Sequence, residues 1–202
     1  TEHTNGIPQN SSMQANVIYT SQTDVIEQQV KAARQLADFV VVGVHWGVEN
    51  SHAIADPQRT LAQNLADWGA DLIIGTHPHV LQNAQWLTAA DGRQVFTAYS
   101  LGNFISTQEK PDQLVGAILS VQLKKTTELD GTVRCSVLSP RLLPTVTHYD
   151  AGKSNVRTYL FRDYTEALTK AHGVRKAYPD FSLEMIQSIA RENIDPEFLQ
   201  LT

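Results

Sequence analysis

The sequence predicts an α/β fold, and the order of its elements is the main evidence. An apolar run at 39–44 is followed by an amphipathic segment at 56–68 and by a second apolar run at 71–74. A strand–helix–strand unit of this kind nearly always places its two strands parallel in one sheet. Two later hairpins, with turns at 91–92 and 130–131, add antiparallel pairs, so mixed sheets are expected.

The first predicted helix covers 24–36. Its apolar residues recur at helical spacing, and Asp24 with Glu27 resembles a capping pair at its start. The run at 39–44 that follows is continuously apolar, which is typical of a strand covered on both faces.

The second helix is predicted to begin with Asp56 as its N-cap and Pro57 in the first helical position, where the missing N–H is not needed. Gly69 is placed to end this helix. The strand at 71–74 follows shortly after the glycine and completes the βαβ unit.

Hairpins and one edge strand are predicted for the middle of the chain. An edge strand is expected at 141–146, because Pro144 cannot donate a hydrogen bond in the middle of a sheet. The hairpin strands are 80–87 with 94–99, and 116–123 with 132–138.

Residues 151–202 are predicted to form a helical C-terminal extension packed on a first domain of residues 1–150. A short helix is expected at 182–191. A longer one is predicted from about residue 155 onward by an apolar stripe at helical spacing, formed by Val156, Leu160, Tyr164 and Leu168.

Composition and charge exclude several classes of function. The chain has 202 residues, 16 Lys and Arg, 21 Asp and Glu and a formal net charge of −5. It lacks the clustered basic residues that nucleic-acid binding requires, and its apolar runs fall far short of the roughly 20 residues that cross a bilayer. The N-terminus has no signal-peptide pattern and reads as a cut inside a longer protein. The single cysteine, Cys135, is expected to be a buried strand thiol.

Three polar segments come directly after predicted strands, at 45–49, 75–79 and 100–104. Parallel strands bring their carboxyl ends to one edge of a sheet, and open α/β sheets bind ligands there. The hairpin at 91–92 returns the chain to the same edge, so Asn103 is expected beside the other two segments.

His77-Pro78-His79 is the most specific of these motifs. A residue before proline favours the extended region, and side chains at i and i+2 of an extended chain point the same way. Two imidazoles then face one point, and His45 from the neighbouring strand supplies a third. Neutral imidazole binds zinc, iron, manganese or nickel. The alternative is a pair of loop histidines that bond only to backbone.

Three neighbouring residues have a structural alternative beside the functional one. Glu49 orients a histidine ligand, or it is a solvated loop carboxylate. Asn103 binds metal or substrate, or it caps the turn after Gly102. Trp46 lines a substrate groove, or it packs against the buried strand. Asp71 is expected to cap or pair locally rather than to catalyse. The remaining histidines are expected at the surface, namely His3, His52, His148 and His172.

The segment from Phe39 to Phe104 resembles the CapA family of capsule and poly-gamma-glutamate biosynthesis proteins, which is related to the calcineurin-like metallophosphoesterases. This resemblance implies a fragment of a metallophosphoesterase-like α/β sandwich, from the C-terminal part of that domain. It rests on three ordered motifs, His45-Trp46-Gly47-x-Glu49, Gly69-Ala70-Asp71-Leu72-Ile73-Ile74-Gly75-x-His77-Pro78-His79-Val80 and Tyr99-Ser100-Leu101-Gly102-Asn103-Phe104.

The resemblance also implies roles for the site residues. His45, His77 and His79 match late metal-ligand positions of the superfamily, and His45, Glu49 and Asn103 are the implied catalytic residues. The early Asp-rich and Asn-His motifs are absent from this sequence. Without a bridging carboxylate, we expect weak or single-ion binding of Mn, Zn or Fe in this chain, or an empty site.

The implied activity is that of a metal-dependent, phosphoesterase-like hydrolase acting on a cell-surface polymer or its precursor, with this chain inactive alone. The alternative is a non-catalytic scaffold or polymer-binding component of a capsule synthesis and export complex. The implied partners are an anionic polymer or its precursor and other capsule synthesis proteins, without nucleic acid. The intact protein is expected on the extracellular or cell-surface side of a bacterial membrane, held by a segment outside this chain.

Overall fold

The fold contains one mixed sheet, one antiparallel sheet and five α-helices within residues 17–202, the part of the chain that a computed structural model describes. The predicted α/β class is confirmed. The helices are α1 (Thr23–Leu36), α2 (Asp56–Trp68), α3 (Pro111–Leu114), α4 (Glu166–Ala171) and α5 (Leu183–Asn193). The strands are β1 (Val41–His45), β2 (Leu72–Thr76), β3 (Leu81–Thr88), β4 (Gln94–Leu101), β5 (Val115–Thr127), β6 (Val133–Asp150) and β7 (Ser154–Leu160).

The first sheet has the strand order β1-β2-β4-β3. β1 and β2 are parallel, as the βαβ prediction requires, and β4 is parallel to β2. β3 pairs with β4 in the antiparallel direction, which confirms the hairpin around 91–92. Three parallel strands therefore end at one edge of this sheet, where the predicted site residues follow them.

β1 is exposed on one face, so the prediction of a strand covered on both faces is wrong. It lies at the end of the described sheet, and exposed and half-buried residues alternate along it. Val42 and Val44 contact the helical layer, whereas Val41 remains 52% exposed on the opposite face. On that face the antiparallel sheet packs against Leu72 of the neighbouring strand β2.

Both helix starts differ from their predictions. Gln22 is the N-cap of α1, and Asp24 lies within the first turn, where its charge complements the helix dipole. Ala55 is the N-cap of α2, one residue before the predicted Asp56. Neither predicted carboxylate caps a helix, although α2 does end at Gly69.

The second sheet has the order β5-β6-β7 and is antiparallel throughout. β6 joins the predicted strands 132–138 and 141–146 into one strand of 18 residues at the centre of this sheet. Pro144 is tolerated there because β7 pairs with β6 only from Thr145 to Asp150. Cys135 lies on β6 as expected, but it is partly exposed rather than buried.

The predicted helix from residue 155 is wrong, because Ser154–Leu160 forms strand β7. The apolar residues Val156 and Leu160 are four apart, which fits both a helix and one face of a strand. The helix predicted at 182–191 is confirmed as α5, and the Ser182 side chain accepts a hydrogen bond from the Met185 N–H at its start. The domain boundary near residue 150 stays a prediction.

The first sheet lies between two apolar layers. On one face α1 and α2 pack against residues such as Ile73 and Val95. On the other face Leu72 and Phe96 pack against the second sheet and α5. Phe198 near the C-terminus stacks edge-to-face on Phe96, with ring centroids 5.1 Å apart. Within residues 17–202, none of the helices has the length and apolar character of a membrane span.

Candidate metal centre

Histidines from two neighbouring strands meet at the carboxyl edge of the first sheet. His45 ends β1 and is the register partner of Thr76, the last residue of β2, and His77 follows at once. The rings of His45 and His77 are 4.4 Å apart between centroids, and those of His77 and His79 are 5.8 Å apart. The parallel strands thus bring the three imidazoles together, as the sequence predicts.

The backbone of the His77-Pro78-His79 loop is not extended. The backbone of His77 has φ +99° and that of His79 has φ +62°, values that residues other than glycine rarely adopt. The predicted extended conformation is therefore wrong. The loop must turn at once from β2 into β3, and the carbonyl of Pro78 accepts a hydrogen bond from the Asn50 N–H at 2.8 Å. The two rings face a common region through this turn rather than through strand alternation.

Glu49 joins the two loop histidines. Its Oε1 lies 3.8 Å from His79 Nε2, and its side chain is 55% exposed. One oxygen of Glu49 and one nitrogen each of His77 and His79 all lie within 4.8 Å of one another. We refer to these three residues as the donor cluster. Among residues 17–202 it is the one group of three or more possible metal donors that lie this close together. His45 lies beside this cluster rather than within it.

Asn103 holds His79 in a defined orientation. Its Oδ1 is 2.9 Å from His79 Nδ1, and its Nδ2 donates to the carbonyls of His79 and Gln113 and to the side chain of Gln108. Because Nδ2 is surrounded by acceptors, Oδ1 must accept the Nδ1–H of His79. The Nε2 lone pair of His79 is then left to face Glu49. The sequence placed Asn103 at this edge correctly, and the structure gives it an orienting contact.

Burial favours the neutral imidazoles of His45 and His77. Burial is the main factor that lowers the pKa of His45 and of His77 below the usual value. The Glu49 carboxylate raises the pKa of His77, but burial outweighs it. The neutral form carries the lone pair that a metal ion needs.

Buried amides fix the 46–55 loop that carries Glu49. Gln82 Nε2 donates to the carbonyls of Ser51 and Ala53, each at 2.9 Å, and Gln82 Oε1 accepts from Gln58 Nε2. Sequence reasoning missed both glutamines. The signal for Gln58 was its position on the apolar stripe of α2, one turn before Leu61.

Two glycines and Trp46 complete the packing beneath the site. Gly75 lies so close to β4 that a Cβ there would approach the Tyr99 carbonyl to 2.0 Å. Gly47, at φ +88°, turns the chain away from β1. Trp46 is 3% exposed and donates from Nε1 to the Tyr99 carbonyl at 2.9 Å. Trp46 therefore has the packing role.

Asp71 has structural partners, as expected, but they are 22 to 37 residues away in sequence rather than local. Its carboxylate accepts from the Val40 N–H at 2.7 Å and from Arg34 at 2.6 Å, and Arg93 lies 3.3 Å away. It is 5% exposed. These contacts join α1, β2 and the 91–92 hairpin far from the donor cluster.

The prediction that the other histidines lie at the surface is wrong within the described residues. His148 and His172 are buried, and the rings of Tyr159, Tyr164 and Phe181 lie against them. His148 Nδ1 lies 2.7 Å from the Tyr164 hydroxyl, and the two imidazole rings are 4.8 Å apart between centroids. His52 is half-buried with Nδ1 2.7 Å from the Leu81 carbonyl, and His3 lies outside the described residues.

Comparison with known proteins places the site inside a matched region. The model of the family described as "Bacterial capsule synthesis protein PGA_cap" matches residues 1–108, which include the donor cluster and Asn103. The chain is 40% identical over 108 residues to the PGA biosynthesis protein CapA of Bacillus subtilis (strain 168), covering 54% of this chain and 26% of that protein. It is 40% identical over 89 residues to the capsule biosynthesis protein CapA of Bacillus anthracis, covering 42% and 20% respectively. The matched part thus spans about a quarter or less of each relative's length.

Proposed function

The chain belongs to the PGA_cap family of bacterial capsule synthesis proteins, and we propose that it acts in capsule or poly-gamma-glutamate biosynthesis as a CapA-type protein. The names of the two Bacillus relatives support this proposal. We further propose association with the cell surface, where a capsule polymer is assembled, and partnership with other capsule synthesis proteins.

The donor cluster supports a divalent metal as the cofactor. Two imidazoles and one carboxylate are a donor set that zinc, iron and manganese all accept. The donor atoms of Glu49, His77 and His79 lie within 4.8 Å of one another, so small side-chain movements would bring all three onto one ion. Asn103 orients His79 from behind, as partners of metal-ligating histidines generally do. The set fits a single ion better than a pair.

The proposed reaction is hydrolysis of a surface polymer or its precursor, in the manner of a metallophosphoesterase. A divalent ion at the donor cluster supplies Lewis acidity toward a phosphoryl or carbonyl oxygen. The residues of this chain do the rest: Glu49, His77 and His79 would hold the ion, with the exposed Glu49 carboxylate on the solvent side, and Asn103 fixes the tautomer of His79. His45 lies next to His77, with the two ring centroids 4.4 Å apart.

Hydrolysis of a generic phosphodiester tests the proposal. Bis(p-nitrophenyl) phosphate is offered to this chain and to the product of the complete reading frame, each with and without Mn²⁺. We expect Mn²⁺-dependent turnover in the longer product, and a loss of about 100-fold or more in Glu49→Gln, which preserves shape and removes the charge. His52→Asn serves as the control because its imidazole lies outside the cluster and the Asn amide keeps a donor for the Leu81 carbonyl.

If every variant shows only metal-independent background hydrolysis, the proposed enzymatic activity is contradicted and a non-catalytic role is favoured. In that case the family fold would serve as a non-catalytic scaffold or polymer-binding component of the capsule machinery. Binding of poly-gamma-glutamate without turnover would identify that role.

A further inference from the structure

We propose that Gln113 is a positioning residue for the donor cluster, an inference that rests on the metal site proposed above. Gln113 lies on α3, away from the strand ends that carry Glu49 and His79. It is only 7% exposed, so its amide must find hydrogen-bond partners inside the protein. Its contacts reach both loops that supply the donor atoms.

The side chain of Gln113 holds the loop that carries Glu49. Its Nε2 donates to Oδ1 of Asn50, the residue directly after Glu49. Its Oε1 accepts from the Lys110 N–H at 3.2 Å, which fixes the amide group in the first turn of α3. Asn50 has φ +60°, a conformation that asparagine tolerates better than most residues. The Gln113 amide therefore ties a strained turn to a buried helix.

The backbone of Gln113 holds the second loop. Its carbonyl accepts from Asn103 Nδ2 at 3.0 Å, and Asn103 Oδ1 accepts from His79 at 2.9 Å. Displacing α3 would therefore move the group that orients His79. One residue thus fixes Glu49 through Asn50 and His79 through Asn103.

A third contact closes these links into a ring of hydrogen bonds. The Asn50 N–H donates to the Pro78 carbonyl at 2.8 Å, so the two donor loops are also joined directly. The ring runs from Gln113 to Asn50, to the 77–79 loop, to Asn103 and back to Gln113. Neither Gln113 nor Asn50 belongs to the donor cluster. Their effect on metal binding must therefore act through the position of Glu49, His77 and His79.

Zinc titration of matched variants tests this role. Gln113→Met keeps the length of the side chain and removes its hydrogen bonds, whereas Asn50→Gly removes the partner without backbone strain at positive φ. We expect each to weaken Zn²⁺ binding by about tenfold, the range for residues that support metal ligands. The double variant should bind Zn²⁺ no more weakly than whichever single variant has the lower affinity. Both changes break the same hydrogen bond between Gln113 and Asn50.

Two further variants separate positioning from general damage. Asn50→Asp keeps an acceptor for Gln113 Nε2, and we expect it to bind Zn²⁺ at least as tightly as the wild type. Gln122→Met makes the same substitution at an exposed site on β5 and should leave affinity unchanged. If Gln113→Met lowers the urea midpoint yet binds Zn²⁺ with wild-type affinity, the residue is structural only and the proposal is overturned.

Amide hydrogen exchange at Asn50, measured without metal, decides the proposal even if the wild type binds no Zn²⁺. A wild-type protein that binds no Zn²⁺ would refute the proposed metal site. The exchange rate would still report whether Gln113 positions the loop that carries Glu49. We expect the Asn50 amide to exchange about five- to tenfold faster in Gln113→Met, as the loss of one supporting hydrogen bond allows. Equal rates in wild type and Gln113→Met would overturn the positioning role.

Discussion

The His79→Gly variant is expected to bind Zn²⁺ at least about 100-fold more weakly than the wild type. His79 supplies one of three donor atoms, and changes to residues that merely support a ligand already cost about 10–100-fold. Glycine accepts the φ of +62° at this position, so the backbone need not strain when the imidazole is lost. Isothermal titration of both proteins with Zn²⁺ measures the difference.

His52→Asn is the matched control for this prediction, because the Asn amide keeps a donor for the Leu81 carbonyl. His52 also lies half-buried beside β3, but its ring bonds to the Leu81 carbonyl and takes no part in the donor cluster. Its replacement should leave Zn²⁺ affinity within about threefold of wild type. Wild-type affinity in His79→Gly would show that zinc binds elsewhere.

Acid should destabilise the protein through His172. This imidazole is 2% exposed, Nε2 donates to the Thr147 carbonyl at 3.0 Å, and Nδ1 accepts from the Val174 N–H at 3.0 Å. Burial is the main factor that lowers the pKa of His172 from 6.5 to about 4. The charge of His148 lowers it further, while the Thr147 carbonyl and Asp150 act in the opposite direction.

The sign of the effect follows from proton uptake. As the pH falls from 6.5 toward 4, the unfolded chain binds a proton at His172 that the folded chain does not. Protonation of His172 therefore costs no stability well above pH 6.5. By pH 4.5 it lowers the free energy of unfolding by about 2–3 kcal/mol. The pKa of His148 is also lowered by burial, so His148 adds to the loss in the same direction.

Urea unfolding at pH 7.5 and pH 4.5 measures this loss. His172→Asn keeps an acceptor for the Val174 N–H and has no charge to gain, so its loss between the two pH values should be smaller than that of the wild type. The other titrating groups remain in both proteins, and the difference between the two losses isolates His172. Equal losses would mean that His172 is protonated in the fold without penalty.

Regular periodicity explains which elements the sequence predicts well. The strands and helix between 41 and 76 each have one strong pattern, and all three are present. The prediction for β7 was wrong because its apolar residues fit the period of a helix and that of a strand equally well. Pairing with β6 makes this segment a strand. The exposed face of β1 was not visible in the sequence, since an apolar run does not record how many neighbours a strand has.

The candidate site shows a similar division. The ends of the predicted strands indicated where the site residues lie, because a parallel sheet brings its carboxyl ends to one edge. These residues are His45, Glu49, His77, His79 and Asn103. The orientation of these groups depends on contacts that are distant in sequence. Gln113 and Asn50 are 63 residues apart, and no local pattern indicates that they meet.

X-ray absorption at the zinc edge tests the central claim most directly. The Zn²⁺-loaded chain is expected to show at least two imidazole nitrogens and a carboxylate oxygen at roughly 2.0–2.2 Å, the distances typical of such ligands. The imidazole contribution should fall by one in His79→Gly. A zinc shell without imidazole, or an imidazole contribution that stays unchanged in His79→Gly, would contradict a metal centre formed by Glu49, His77 and His79.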